Sequence, residues 1–273
     1  MKKQGKRLLS ILLICVSVVI LIGCGDKMTP KKMMKEVEAQ LAKVTSFSNQ
    51  VDMDIKMESV VRYTKVTMDM NMENTMKPKA GHAYGTAQVV MGGVNLESAL
   101  EIYQVMDGKK QITYSGIDGQ WVKEESGQTE GGIALDKNLF SEMGDSIDSF
   151  QIASKPVEVD GKLCYEMYGN VTGKELMGVL GSQMIHGFGL VELPDDSMIA
   201  KLQIPVIFDV YQEEMLPARM LVDMTDVLNE LYDQIDERVD VTQFEIKLQF
   251  QSYDKVTPIE VPEEIKVIAK GDE

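Results

Sequence analysis

The stretch Val51-Asp52-Met53-Asp54-Ile55-Lys56-Met57 decides the fold, because apolar and polar residues alternate strictly along it. Successive side chains of a β-strand point to opposite faces, so this period predicts a half-exposed antiparallel strand. The run from Val66 to Met72 repeats the pattern, with its apolar residues again at every second position. We therefore predict two long strands that share one apolar face.

Two similar runs follow this pair along the chain. One extends from Ala83 to Met91 and a second carries Leu100 and Ile102, with the hairpin signal Gly92-Gly93 between them. Such strands are about ten residues long or longer, where five or six is common. A long meander with one apolar face must curl over a core.

Helical spacing predicts a few helices around this sheet. The first starts at Pro30, after Thr29 as N-cap, and ends near Thr45. A second has the capping box Thr172 and Glu175. We predict the remaining elements in chain order as a short strand over 111–114, a strand opened by Trp121, a short helix over 135–147, strands over 150–152, 156–159 and 163–168, the second helix over 172–185, a flap over 187–196, strands over 204–210 and 217–224, a helix over 225–240, a strand over 244–250 and an extended tail over 253–268, where Pro258 and Pro262 block a helix.

The chain has no repeat at a fixed period and no break in composition that would mark a linker. The economical interpretation is one α+β domain over residues 31–273, with a long antiparallel sheet and helices on its apolar face.

The first residues have the pattern of an export signal. A basic start is followed by an apolar stretch from Leu8 to Ile22, which is short for a membrane span. The sequence Leu21-Ile22-Gly23-Cys24 resembles the lipobox of bacterial lipoproteins. It predicts a signal peptide over 1–23, cleavage between Gly23 and Cys24, a diacylglycerol on Cys24 and a tether over 24–30. The localisation would be the extracytoplasmic face of the cell membrane. The alternative is an uncleaved signal anchor.

The predicted mature chain is strongly acidic. Four of the 28 Lys and Arg lie in residues 1–23, so 24 basic side chains face 43 acidic ones, a net charge of −19. This charge argues against nucleic acid as a partner, which requires Lys and Arg to neutralise phosphates. It also disfavours adsorption to an anionic bilayer, so the lipid would hold the protein at the membrane.

Residues for catalysis or metal binding are scarce. Cys164 is the one cysteine left after Cys15 and Cys24, and its alternating context favours a small buried residue over a nucleophile. His82 and His186 cannot assemble a usual zinc site with it. The residues of a Ser, His and Asp triad are present, but the sequence has no Gly-x-Ser-x-Gly motif to support one. The acidic pairs Asp52/Asp54 and Asp195/Asp196 lack the order of a calcium loop. We predict no catalytic residue, no metal and no cofactor.

The order of parts resembles a known group. The residues that carry the likeness are Cys24, the stretch 41–47 (LAKVTSF), the stretch 118–123 (DGQWVK) and the stretch 253–262 (YDKVTPIEVP). The chain is similar to Gram-positive lipoproteins of unassigned function (DUF6612-like) that resemble the LolA, LppX and LprG superfamily. The resemblance implies a strongly curved antiparallel sheet, an incomplete β-barrel, with helices covering its concave face. In the characterised carriers that space holds acyl chains.

We therefore expect a membrane-anchored, non-enzymatic lipoprotein that binds a lipid or another apolar ligand. The 20 Met favour an adaptable apolar groove, although any single Met more often fills a core. The candidate groove residues are Met53, Ile55, Met57, Val66, Met68, Met70, Leu100, Ile102, Val206 and Phe208. A sensory or scaffolding lipoprotein that contacts an unknown envelope protein is the alternative, and a hydrolase is a third hypothesis.

Overall fold

A computed structural model describes residues 28–126 and 143–271, which form one antiparallel sheet with a few helices. Twelve strands lie side by side along one path, and one further short strand pairs beside it. The two ends of this path do not pair, so the sheet stays open and the predicted half-barrel is confirmed.

The strands are β1 (Ser46–Ser59), β2 (Tyr63–Met76), β3 (Lys79–Met91), β4 (Val94–Asp107), β5 (Lys110–Ile117), β6 (Gln120–Ser126), β7 (Gln151–Ile152), β8 (Val157–Val159), β9 (Lys162–Thr172), β10 (Gln203–Tyr211), β11 (Pro217–Asp223), β12 (Val239–Tyr253) and β13 (Lys270–Gly271). Their order in the sheet is β13-β6-β5-β4-β3-β2-β1-β12-β11-β10-β9-β7, and β8 pairs with β9. The α-helices are α1 (Pro30–Leu41), α2 (Gly173–Leu180), α3 (Ser182–Ile185), α4 (Asp196–Ile199), α5 (Thr225–Gln234) and α6 (Glu263–Ile268), and 3₁₀ turns span Ile147–Ser149 and Gly187–Gly189.

Pairing turns the alternating sequence into one buried face. Met53 lies opposite Met68 on β2 and opposite Ile246 on β12, and directly paired residues point to the same side. The apolar positions of β1, β2, β10, β11 and β12 are therefore buried together on the concave side.

Small residues and bulges allow the sheet to curl. The inner face of β3 presents Gly81, Ala83, Gly85 and Ala87 toward the concave side. A Cβ atom on Gly85 would lie 2.0 Å from the carbonyl oxygen of Asp69, so only glycine fits there. Register shifts in the β1–β12 ladder add local twist.

Two predicted helices start as expected, and one of them breaks. The Thr29 side chain accepts a hydrogen bond from the Lys32 N–H and caps α1, which buries Met33 and Val37. The capping box between Thr172 and Glu175 is confirmed. The helix predicted to reach residue 185 is interrupted at Gly181, which has a φ of 83°.

Other boundaries differ from the prediction. The helix predicted over 225–240 ends at Gln234, because Asp236 has a left-handed φ of 58° and the chain enters β12 at Val239. The helix predicted over 135–147 lies largely outside the described residues. The predicted flap over 187–196 contains a 3₁₀ turn and the first residue of α4.

The extended tail is wrong for its last part. Pro262 is the N-cap of α6 instead of blocking it, since a proline at a helix start removes no hydrogen bond of the helix interior. Val261 and Ile265 pack with Tyr103, Ile112 and Tyr114 on the convex side of β4 and β5, and β13 pairs in parallel with β6.

Candidate functional site

The concave face is buried along β1, β2 and β10–β12 and open along β4–β6. Between β4–β6 and the segment 182–191 lies a cavity of about 520 Å³. The strands contribute Leu100, Ile102, Ser115, Gly116, Ile117 and Glu124, and the facing segment contributes Ser182, His186, Phe188, Gly189, Leu190 and Val191. We call this space the groove.

The apolar surface continues beyond the groove along the same face. Leu96, Ile117 and Val122 are 60%, 54% and 41% exposed. Their registers place them on the concave side, because Ile117 pairs with Leu100 and Val122 pairs with the groove residue Ser115. Large apolar residues that are exposed next to each other mark interaction sites more often than single ones do.

A polar cluster lies where the helical segment borders the groove. Asp196 accepts hydrogen bonds from the Ser182 hydroxyl (2.7 Å) and from Nε2 of His186 (2.7 Å). These two donors, His186 first, hold the pKa of the Asp196 carboxyl below its usual range. The groove lining also includes Glu124, and no Lys or Arg belongs to the described lining.

Among residues 28–126 and 143–271, neither histidine forms a hydrolase triad. In a triad the histidine stands between the serine and the acid, whereas here Asp196 stands between Ser182 and His186. His82 lies on the convex face, where Nε2 is 3.0 Å from Oε1 of Glu101 and the ring stacks on Tyr103 at 4.1 Å.

The other candidate reactive groups are engaged or buried. The prediction of a buried Cys164 is confirmed, and burial raises the pKa of its thiol to about 11. Asp52 pairs with Lys247 at 2.8 Å. Within residues 28–126 and 143–271, no group of three or more His, Cys, Asp or Glu could hold a metal ion.

The structure separates the ten predicted groove residues. Leu100 and Ile102 line the groove. Met57 lines a second cavity of about 270 Å³, together with Arg62 and Tyr232. The other seven, which are packed in the core with at most 3% exposure, are Met53, Ile55, Val66, Met68, Met70, Val206 and Phe208. Their part in ligand binding stays a prediction.

The segment 187–191 covers these inner residues. A Cβ atom on Gly187 would lie 3.4 Å from Sδ of Met53, so the segment sits directly on the floor of the half-barrel. Sequence reasoning missed Ile117 and Val122 as groove residues. Ile117 pairs with Leu100 and Val122 pairs with Ser115, which places both residues on the concave side. This register is known from the structure and not from the local sequence.

Fold and site together define an open antiparallel half-barrel with an apolar groove. The chain belongs to a family of unknown function, DUF6612, whose model matches residues 29–270. No curated protein matches.

Among solved structures, LprF from Mycobacterium bovis is similar with a TM-score of 0.50 and 12% identity, covering 85% of this chain and 95% of that one. This likeness agrees with the half-barrel fold. A DUF1329 family protein from Desulfovibrio piger (TM-score 0.27, 10% identity, 85% and 96% covered) and a β-barrel-like DUF1849 protein from Brucella abortus (0.24, 10%, 77% and 98%) also match, at scores too low to compare the folds further.

None of the helices within residues 28–126 and 143–271 is both long and apolar enough to cross a membrane.

Proposed function

We propose that this protein is a non-enzymatic, membrane-anchored binding protein that holds one apolar ligand in the groove. The observation that carries the proposal is the exposed apolar face of β4–β6 at the groove, formed by Leu96, Ile117 and Val122. The convex side of β4 and β5 is covered by the tail through Val261 and Ile265, so the apolar surface left over faces the groove. This arrangement favours a ligand in the groove over a partner on the convex side.

The lining suggests the class of ligand. Small-molecule sites commonly enclose about 300 to 1,000 Å³ and combine apolar walls with a few polar groups. The groove, at about 520 Å³, lies in that range and is lined by apolar residues plus Ser115, Ser182, His186 and Glu124. An anionic headgroup would meet Glu124 and no Lys or Arg in this lining. We therefore propose a single-chain amphiphile with an uncharged, hydroxyl-bearing head.

The anchor belongs to the same proposal. The lipobox at Leu21–Cys24 supports lipidation of Cys24, and two acyl chains suffice for stable anchoring where one does not. An anchored groove would stay within reach of the lipids that it binds.

Ligand binding is tested with two matched isoleucines on opposite sides of the sheet. Ile117 is 54% exposed in the groove, and Ile268 is 53% exposed on α6, which covers the convex side. Native mass spectrometry of the processed protein in detergent, offered monopalmitoylglycerol, palmitate and lysophosphatidic acid, measures occupancy. We expect monopalmitoylglycerol to bind, Ile117→Asp to lower its occupancy at least about tenfold, and Ile268→Asp to leave it unchanged.

Two results would contradict the groove as the site. One is an absence of any bound amphiphile in the unchanged protein, and the other is an equal loss in both variants. Preferential binding of palmitate or lysophosphatidic acid would refute the uncharged head alone. Membrane fractionation of Cys24→Ala tests the anchor separately, and unchanged membrane retention would refute it.

A further inference from the structure

Two hairpin tips lie side by side at one end of the half-barrel. β1 and β3 run in the same direction and Thr64 pairs with Met91, so the turns 59–62 and 91–94 meet at this end. The Gly92 N–H donates to the Tyr63 carbonyl (3.3 Å) and ties the two tips together. The turn 117–120 points the same way but lies about six residues further back, because Ile117 pairs with Leu100 whereas Val94 pairs with Met91. We call residues 59–63 and 91–96 the tip rim.

The tip rim exposes several large apolar side chains. Val60 and Val61 are 77% and 90% exposed, although both are large apolar residues in a turn. Six of the fourteen exposed large hydrophobic residues belong to the tip rim, namely Val60, Val61, Tyr63, Met91, Val94 and Leu96. Leu96 lies between Val94 and the groove residue Leu100 on β4, so the apolar surface of the rim continues toward the groove.

The charge of the tip rim differs from that of the whole chain. Residues 59–62 and 91–96 contain one charged side chain, Arg62, but Glu58, Asp236, Glu237 and Asp240 line a cavity with Val60 at this end. Arg62 is moreover paired with Glu192 at 3.1 Å. At the opposite end, the turns 77–79 and 108–110 contain four Lys. The apolar side chains of the tip rim can therefore enter the bilayer interface only to a depth that leaves the carboxylates beside Val60 in water, because burying an unpaired charge is costly.

The start of α1 points toward the same end. α1 leads through residues 42–45 into the beginning of β1, which lies at the opposite end of the sheet. Near the start of α1, Lys31 pairs with Asp148 at 3.3 Å. Two residues before Asp148, the Ser146 hydroxyl donates a hydrogen bond to Glu175 of α2. Helix α2 follows the end of β9 that lies on the side of the tip rim, so these contacts place the start of α1 on that side. A chain of six residues from Cys24 spans at most about 20 Å to Pro30, so an anchor at Cys24 would hold this end near the bilayer.

We propose that the tip rim docks on the bilayer interface, with Val60, Val61 and Val94 at the level of the lipid headgroups and the first acyl carbons. The partner is an uncharged or zwitterionic lipid surface, because the rim offers apolar area and the carboxylates beside Val60 would repel an anionic lipid. Docking places the mouth of the groove against the lipids. The inference rests on the proposed anchor at Cys24 for its orientation.

The test measures depth in the bilayer at single labelled positions. The processed lipoprotein is reconstituted in phosphatidylcholine vesicles with an environment-sensitive dye on Val61→Cys, Val267→Cys or Lys109→Cys. Val267 is a matched control, because it is 81% exposed on α6 and away from the tips. Lys109 represents the opposite end, and the buried Cys164 does not compete for the dye.

We expect brominated acyl chains to quench the label at residue 61 at least roughly threefold more than the labels at 109 and 267, because an interfacial segment lies about 5–10 Å deep. Adding Val60→Ser and Val94→Ser should remove that difference. A label at 61 that stays in water on floated vesicles overturns the docking. Quenching only at 109, and only with anionic lipid, overturns it in favour of the lysine turns.

The same preparation separates the two proposals. A protein that does not float with the vesicles overturns both the anchor and the docking. Native mass spectrometry of the Val60→Ser, Val94→Ser variant in detergent reports the groove by itself. Unchanged ligand occupancy in this variant, together with a label at residue 61 that is water-exposed even without the two serine substitutions, leaves the groove intact and refutes the docking alone.

Discussion

The two halves of this sheet bury opposite faces. In the packed half, formed by β1–β3 and β9–β12, the concave face is the core and α1 and α2 lie over it. In the open half, formed by β4–β6, the convex face is buried under the tail, and the concave face carries the exposed Leu96, Ile117 and Val122. The same two-residue alternation therefore serves stability in one half and leaves a free apolar surface in the other.

The largest expected effect compares two isoleucines that differ in this respect. Ile55 is fully buried on the concave face of β1, whereas Ile117 is half exposed on the concave face of β5. Ile55→Ala should lower the free energy of unfolding by about 3 to 4 kcal/mol, since it leaves a cavity in a closed core. Ile117→Ala should cost less than about 0.5 kcal/mol. Urea unfolding followed by circular dichroism measures both, and similar costs would refute the division into two halves.

A second comparison tests the convex core of the open half. Ile265 on α6 is buried against β4 and β5, and Ile268 on the same helix is exposed. Ile265→Ala should cost about 2 kcal/mol, while the matched Ile268→Ala should cost less than about 0.5 kcal/mol. Trp121, the one tryptophan of the chain, packs at this cluster and reports on it by fluorescence.

We expect Trp121 emission in Ile265→Ala to change at a lower urea concentration than the circular dichroism signal, because the open half loosens first. Coincident transitions in this variant would mean that the two halves unfold as one unit.

The packed half was predictable from the sequence because its signals are local. The alternation of residues 51–57 predicts both the strand and its buried face, and the pair Thr172 and Glu175 predicts the start of α2. The open half was not predictable from local signals. Its buried face is covered by Val261 and Ile265, which come more than a hundred residues later in the chain. Proline blocks a helix interior, but Pro262 is the N-cap of α6 and so lies outside the hydrogen-bonded turns.

The site was predictable only in part for the same reason. Leu100 and Ile102 follow the alternating pattern and line the groove. Met53 and Met70 follow the same pattern but are core residues. Alternation identifies the apolar face of a strand. Whether helices cover that face is decided by long-range packing, which no local pattern contains.

A buried carboxylate of the packed half gives the third prediction. Burial by itself would raise the pKa of Glu175, but hydrogen bonds from Ser146 and from the Thr172 hydroxyl and N–H outweigh it and lower the pKa. Glu175→Gln should lower the free energy of unfolding by about 2 kcal/mol at neutral pH, because hydrogen bonds to a charged group are lost.

The sign of the pH dependence follows from the lowered pKa. The contribution of Glu175 is fully present above about pH 4.3, the value of an unfolded glutamate, and is lost as the pH falls through the folded value. The difference between the unchanged protein and Glu175→Gln in urea should therefore shrink below that pH. A difference that stays constant down to pH 3 would contradict the assignment.

The smallest effect concerns the corresponding carboxylate at the border of the groove. Asp196 also accepts two side-chain hydrogen bonds, from His186 and Ser182, but its side chain is half exposed. Solvent screens such a pair, so Asp196→Asn should cost no more than about 0.5 kcal/mol. Its lowered pKa gives the same sign as for Glu175, with the contribution to stability lost as the pH falls below about 3.9.

Ser182 and His186 line the groove, so Asp196→Asn should change the occupancy of monopalmitoylglycerol although it hardly changes the free energy of unfolding. Paired urea and native mass spectrometry measurements check this, and a loss of stability as large as that of Glu175→Gln would show that the border of the groove is packed like the core.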